Sequence, residues 1–202
     1  QFKETLVKET LKLVQATDGD GSADIGPMTT QGQVETIAAQ VADAKQKGAV
    51  FLTGEDWDGQ SDFVPPMIVE GVTREMAIDR EENFGPLLPI YPFSSEAQAI
   101  EMANDPNYGL SASVWSQDLK RADRVARRIY TGNVSINNVM LTEGNHALPF
   151  GGVQKSGFGR YKGEFGFYAF ANIKAVLIDQ NSKKMEANWF PYTAKKYKIF
   201  SD

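Results

Sequence analysis

Glu81-Glu82-Asn83-Phe84-Gly85-Pro86 runs straight into the apolar stretch 87–93. The order of residue types has a physical logic. A carboxylate accepts hydrogen bonds from both hydroxyls of a ribose, an aromatic ring offers a flat apolar wall, and a Gly-Pro turn fixes the backbone between them. The stretch therefore suits a nucleoside, although adjacent glutamates also read as ordinary surface charge. The apolar residues after it read as a strand.

Working outward from this point, strands and helices alternate. Upstream, helical periodicity covers 2–15, and a turn-rich stretch covers 17–27. A second helix covers 31–47 with Val34, Ile37, Ala38 and Val41 on one face, and Gly48 follows as a stop signal. Residues 49–53 read as a strand and 54–62 as a polar turn. Residues 63–69 are extended, and Pro65 and Pro66 restrict them to an edge or irregular strand. Downstream, Ser95 opens a helix that ends near Asp105-Pro106. Strand 111–115, an amphipathic helix over 117–130 and strand 133–137 follow, then an irregular Gly-rich stretch over 148–166 and a last strand over 174–179. This alternation predicts an α/β fold, a mostly parallel sheet flanked by helices.

The second informative stretch is Leu148-Pro149-Phe150-Gly151-Gly152-Val153, continuing to Lys155-Ser156-Gly157-Phe158-Gly159-Arg160. So many glycines imply unusual dihedrals or close backbone approach. Long unstructured loops are uncommon without a task. Several other patterns fail on inspection. Asp18, Asp20, Ser22 and Asp24 alternate like a calcium loop, but Ala23 replaces the sharp-turn glycine and Thr29 the bidentate glutamate, so the stretch reads as a solvated turn. Gly157 and Gly159 begin a dinucleotide fingerprint that Lys162 breaks at the third glycine. Asn133-Val134-Ser135 fits a glycosylation sequon but lies in a strand pattern that reads as buried.

Composition narrows the chemistry. The 202 residues carry a net charge of −5, which argues against nucleic acid or an anionic membrane as partner. There is no cysteine and a single histidine, His146. A thiolate nucleophile, a thiolate-zinc site and a multi-histidine metal site are all excluded within these residues, and no metal is expected. No catalytic residue is expected in this chain.

Taken together, the two stretches resemble the aldehyde dehydrogenase family. Glu82-Asn83-Phe84-Gly85-Pro86 looks like that family's Glu-x-Phe-Gly-Pro motif. Further matching segments follow the family's order: Asp24 to Met28, Phe63-Val-Pro-Pro66, Asn104 to Leu110, Gly132 to Asn137, Pro149-Phe-Gly-Gly152 and Ser156 to Arg160. The resemblance covers about residues 1–180, read as the C-terminal portion of the catalytic domain, with 181–202 as a tail.

The resemblance implies an NAD(P)-dependent oxidation of a small-molecule aldehyde to a carboxylic acid through a cysteine thiohemiacetal. Carried over residue by residue, Glu82 would bind the nicotinamide-side ribose hydroxyls and Phe84 would pack beside that ribose. Phe150 would line the aldehyde pocket, and Asn137 would be structural. Residues 141–146 fall where the family varies its substrate loop. Strand 174–179 resembles one that joins an oligomerisation sheet, so a homodimer or homotetramer is implied, in the cytoplasm. The family's nucleophilic cysteine, general-base glutamate and cofactor-binding domain would lie upstream. The chain is thus expected to be a fragment that is inactive alone. The alternative is a non-catalytic association or nucleotide-binding module that retains the fold. The acyl-phosphate reductase branch is a weaker match, since Glu-x-Phe-Gly-Pro is not expected there.

Overall fold

The computed structural model describes residues 1–17, 21–180, 186 and 188–199. The first two aspartates of the rejected calcium pattern, Asp18 and Asp20, lie outside these, as does part of the 181–202 tail. The chain divides into two compact units, Gln1–Ala169 and Phe170–Asp202.

The first unit is built around helix α2, Gln31–Gln46. Thr30 caps it by accepting from the Gln33 N–H. Helix α1, Phe2–Thr10, precedes it and buries none of its residues. Helical periodicity suggests that α1 continues to residue 15, but it stops earlier. The N–H groups of Lys12 and Leu13 turn back to the carbonyls of Glu9 and Thr10, and Gln15 instead bridges to Ile25. On α2, Val34, Ile37, Gln40, Val41 and Ala44 recur at helical spacing and are buried.

That face packs on a three-stranded sheet made of β1 (Val50–Phe51), β2 (Met67–Glu70) and β3 (Leu87–Pro89), in that order. Strands β1 and β2 are antiparallel, whereas β2 and β3 are parallel. Ile37, Val41 and Ala44 meet Phe51, Met67, Val69 and Leu87 in one cluster, with Ile78 from the short helix α3, Ala77–Arg80, and Met76 just before it. Fully burying each large aliphatic side chain contributes about 1.5–3 kcal/mol. Of the edge or irregular strand expected at 63–69, residues 63–66 are irregular, whereas the edge reading is corrected for 67–69, because β2 is the central strand. Both prolines precede it, and Thr53 satisfies the backbone groups on either side of Met67. The Thr53 hydroxyl donates to the Pro66 carbonyl at 2.8 Å and accepts from the Ile68 N–H at 2.9 Å.

The second half of the unit holds helix α4 (Glu96–Asn104), β4 (Tyr108–Gly109), β5 (Ser111–Val114), helix α5 (Leu119–Ala126) and β6 (Asn133–Ile136). Strands β5 and β6 are parallel and are connected through α5, the crossover that parallel pairing requires. Ser95 and Asp118 cap α4 and α5. Glu96 in the first turn of α4 accepts from Arg121 at 3.0 Å and from Arg124 at 2.8 Å, tying the two helices together. The Gly-rich stretch is more ordered than its composition suggests. It holds helix α6 (Leu141–Gly144) at its entrance, strand β7 (Val153–Gln154) and helix α7 (Gly163–Ala169) at its end. Strand β7 pairs antiparallel with β4.

In the second unit the only described helix is α8, Ala194–Ile199. Phe190 and Tyr192 stack at 4.7 Å, and Lys196 donates to the Trp189 carbonyl. The strand expected over 174–179 is not formed. Among the described residues no strand pairing runs along 174–178, and Ile173, Val176, Leu177 and Ile178 stay exposed. Strand character there needs a partner edge that these residues do not supply. The architecture is α/β, with the longer strand pairings parallel and flanked by helices.

Candidate functional site

Residues 82–86 form the turn between α3 and β3. Gly85 lies so close to α2 that an added Cβ would sit 2.8 Å from Ile37 Cδ1. Only glycine lets the turn approach the helix this closely. Behind it, a cavity of about 280 Å³ is lined by Leu13, Pro66, Ile68, Pro86 and Leu88. The buried Gln40 amide of α2 donates to the Glu82 carbonyl at 3.4 Å, and its Oε1 has no partner among the described residues. The backbone is thus backed from inside while two side chains are left outside. The Glu82 side chain is exposed and makes no hydrogen bond or ion pair among the described residues. The Phe84 ring is 67% exposed. A carboxylate acceptor and an apolar ring two residues apart, on a turn that cannot shift inward, fit one end of a ribose-bearing cofactor.

Phe150 sits elsewhere in the first unit, where three backbone segments converge. An added Cβ on Gly132 would overlap the Gly151 carbonyl oxygen, so the chain before β6 touches the Gly-rich stretch with no side chain between. The buried Asn133 side chain locks the contact, donating to the carbonyls of Leu110 at 2.9 Å and Gly151 at 3.1 Å. Arg160 donates to the Gly152 carbonyl at 2.8 Å. Phe150 and Tyr161 exchange backbone hydrogen bonds of 2.8 and 2.9 Å, and their rings meet edge to face at 5.6 Å. Phe150 itself is only 8% exposed, an inner wall and not an open surface. Asn137, at the end of β6, uses its whole side-chain amide on Ser116.

Among the described residues no hydrogen bond or ring contact joins Phe150 to Glu82 or Phe84. The structure therefore shows two separate surfaces, an exposed turn and a buried aromatic wall. Sequence reasoning missed Lys162. Its ammonium lies 5.5 Å from both the Phe150 and Tyr161 rings and donates to Glu143 Oε1 at 2.6 Å. One signal was available, since Lys162 stands where the broken fingerprint wants glycine. Its φ of 66° is a conformation that glycine favours.

A further cavity of about 400 Å³ is lined by Val72, Arg74, Asp79, Tyr91 and Met102 among others. Its polar groups are already engaged. Arg74 pairs with Asp79 at 3.0 Å and with Asp105, and the Tyr91 hydroxyl donates to Asp79 at 2.8 Å. Burial and the bond to Asp79 push the Tyr91 phenol upward, so it remains a donor.

The model of the aldehyde dehydrogenase family matches residues 1–176. The chain belongs to the aldehyde dehydrogenase family. It is 42% identical over 200 residues to a 4,4'-diapolycopene aldehyde oxidase of Methylomonas sp, covering 99% of this chain and 37% of that protein. Among solved structures it is similar to a succinic semialdehyde dehydrogenase from Streptococcus pyogenes in complex with NADP+, with TM-score 0.81 and 35% identity over 88% of this chain and 39% of the other. An aldehyde dehydrogenase of Mycobacterium tuberculosis complexed with NAD+ matches with TM-score 0.81 and 32% identity, over 88% and 37%. Both nicotinamide cofactors thus occur among its relatives. The chain spans little more than a third of the length of the relatives it matches.

Proposed function

We propose that the chain is the C-terminal portion of the catalytic domain of an NAD(P)-dependent aldehyde dehydrogenase that oxidises an aldehyde to its carboxylic acid. The observation that carries this reading is the turn at 82–86, backed by Ile37 and Gln40 and presenting Glu82 and Phe84 outward. The bound cofactor, NAD or NADP, supplies the hydride acceptor. Glu82 accepts hydrogen bonds from the ribose hydroxyls, and Phe84 gives that sugar an apolar wall. Phe150, held by Tyr161, closes one side of the aldehyde pocket and keeps water from it.

Residues 1–180 belong to this domain and 181–202 form its tail. The 202 residues hold no cysteine, so the thiolate is supplied from outside them, and the isolated chain does not turn over aldehyde. Assembly as a homodimer or homotetramer is supported by the exposed Ile173, Val176, Leu177 and Ile178. The acidic net charge supports small molecules and not nucleic acid or membrane as partners. A cytoplasmic location goes with a reaction that draws on the cell's nicotinamide pool.

The test follows NAD(P)H formation by the full-length gene product with an aldehyde and either cofactor. One equivalent of acid should form per NAD(P)H. Glu82→Gln should raise the KM for cofactor by about tenfold, the scale of one hydrogen bond to a charged group. Absence of turnover in the full-length gene product would favour a non-catalytic association or nucleotide-binding module. Turnover by the 202-residue chain alone would overturn its assigned inactivity.

A further inference from the structure

The Lys162 side chain is 14% exposed, though lysine is ordinarily among the most exposed residues. Its ammonium faces two rings and one carboxylate. Phe150 and Tyr161 each lie 5.5 Å away, and Glu143 is bound through both its side chain and its backbone carbonyl. Glu143 lies on α6, none of whose residues is buried. Val139, Met140 and Leu141 are exposed apolar residues that lead into it. A second tie joins the same two segments, since the Gly163 N–H donates to the His146 carbonyl at 2.9 Å. The Lys162 backbone holds a left-handed φ of 66°, which aims its side chain out of the regular path of the Gly-rich stretch.

The charges around Phe150 are consumed locally. Lys162 and Glu143 neutralise each other, and Lys162 holds the Glu143 carboxyl below its usual range. Arg160 is spent on the carbonyls of Gly152 and Gly159. Among the described residues Lys162, Glu143 and Arg160 are thus each engaged, whereas Val139, Met140 and Leu141 beside them present exposed apolar surface.

We infer that Lys162 and Glu143 form a latch that positions residues 139–146 against the Phe150 wall and biases the pocket toward uncharged, apolar aldehydes. The selectivity part rests on the proposed dehydrogenase reading, whereas the latch does not. Lys162 is a positioning residue here. It touches the wall and the loop, not the reacting atoms.

Two measurements on the full-length gene product separate the claims. The first is amide hydrogen exchange over residues 141–148 in the wild type, Lys162→Met and Lys162→Arg. Methionine keeps the stem over the rings and removes only the charge. Local opening of a latched loop should accelerate exchange by about tenfold in Lys162→Met, confined to this segment and the Gly163 amide, with Lys162→Arg near wild type. Unchanged exchange in Lys162→Met overturns the latch. The second is steady-state kinetics with a straight-chain alkanal and with a semialdehyde of similar length that bears a carboxylate. Wild type should prefer the alkanal. Lys162→Met should raise the alkanal KM several-fold, about 1 kcal/mol by the tenfold-per-1.4 relation, with kcat nearly constant. The charge-swapped pair Glu143→Lys with Lys162→Glu should recover most of that loss. Equal changes in KM for both aldehydes, or a wild-type preference for the semialdehyde, overturns the selectivity. A wild type that oxidises neither aldehyde defeats the dehydrogenase reading and leaves the exchange experiment to decide the latch.

Discussion

Thr53 shows how one hydroxyl supports the centre of the sheet. It serves the Pro66 carbonyl and the Ile68 N–H at once, and it is buried. Thr53→Val keeps the shape and strands both groups. Urea titration should show a loss of about 1–3 kcal/mol, the cost of unsatisfied buried polar groups. Phe84 should behave in the opposite way. With its ring 67% exposed, Phe84→Ala should change stability by less than about 0.5 kcal/mol while weakening cofactor binding in a fluorescence titration of the full-length gene product. A large drop in stability would mean that the ring is packing and not a ligand wall. At this scale the sequence was readable where the feature is local. Glu82 and Phe84 stand two residues apart, and their chemistry can be read from the string. Lys162 and Glu143 lie 19 residues apart, and only the fold joins them. Thr53 is separated from its partners by 13 and 15 residues, so its role was equally hidden.

Among the elements, helix α4 leans on α5 through Glu96. The Arg124 hydrogen bond, joined by Arg121 and opposed by partial burial, pulls the Glu96 carboxyl down to about 2. A depressed folded-state value stabilises the protein above the unfolded value and is lost as pH falls through the folded one. Unfolding midpoints should therefore decline between about 4.5 and about 2, and Glu96→Gln should flatten that limb. An unchanged slope in the variant would show that the bridge is solvent-screened and thermodynamically silent. Helices α2, α4 and α5 were legible from local signals, apolar spacing with the Gly48 stop at α2, the Ser95 cap at α4 and amphipathic character at α5. The irregular part of the 63–69 reading fits residues 63–66, but its edge part fails for β2, because proline argues against a central strand only within the strand, and Pro65 and Pro66 stop just short of it. Helix α7 and strand β7 were invisible because glycine masks periodicity. Their residues are held by contacts with distant segments and not by local propensity.

For the molecule as a whole, the run from Ile173 to Ile178 is the least reconciled feature. Four large apolar side chains face water in a segment with no strand partner among the described residues. Such a surface favours pairing with another chain edge. Sedimentation of the protein should show association that Leu177→Lys weakens, with the monomer's helical signal unchanged. Association that is indifferent to this charge would place the contact elsewhere. The sequence pattern read a strand over 174–179, and the structure forms none there, because an apolar run in extended chain becomes a strand only when an edge is available to pair with it. The contact of Gly132 with Gly151 has a consequence for redesign. Two main chains that touch directly leave no side chain to trim or enlarge, so the seam cannot adapt to a transplanted neighbour. Loop grafts meant to change substrate preference should therefore be spliced within 138–147, ahead of the seam. The stretch from Gly151 to Gly159 should be moved only together with β6, as one inherited cassette.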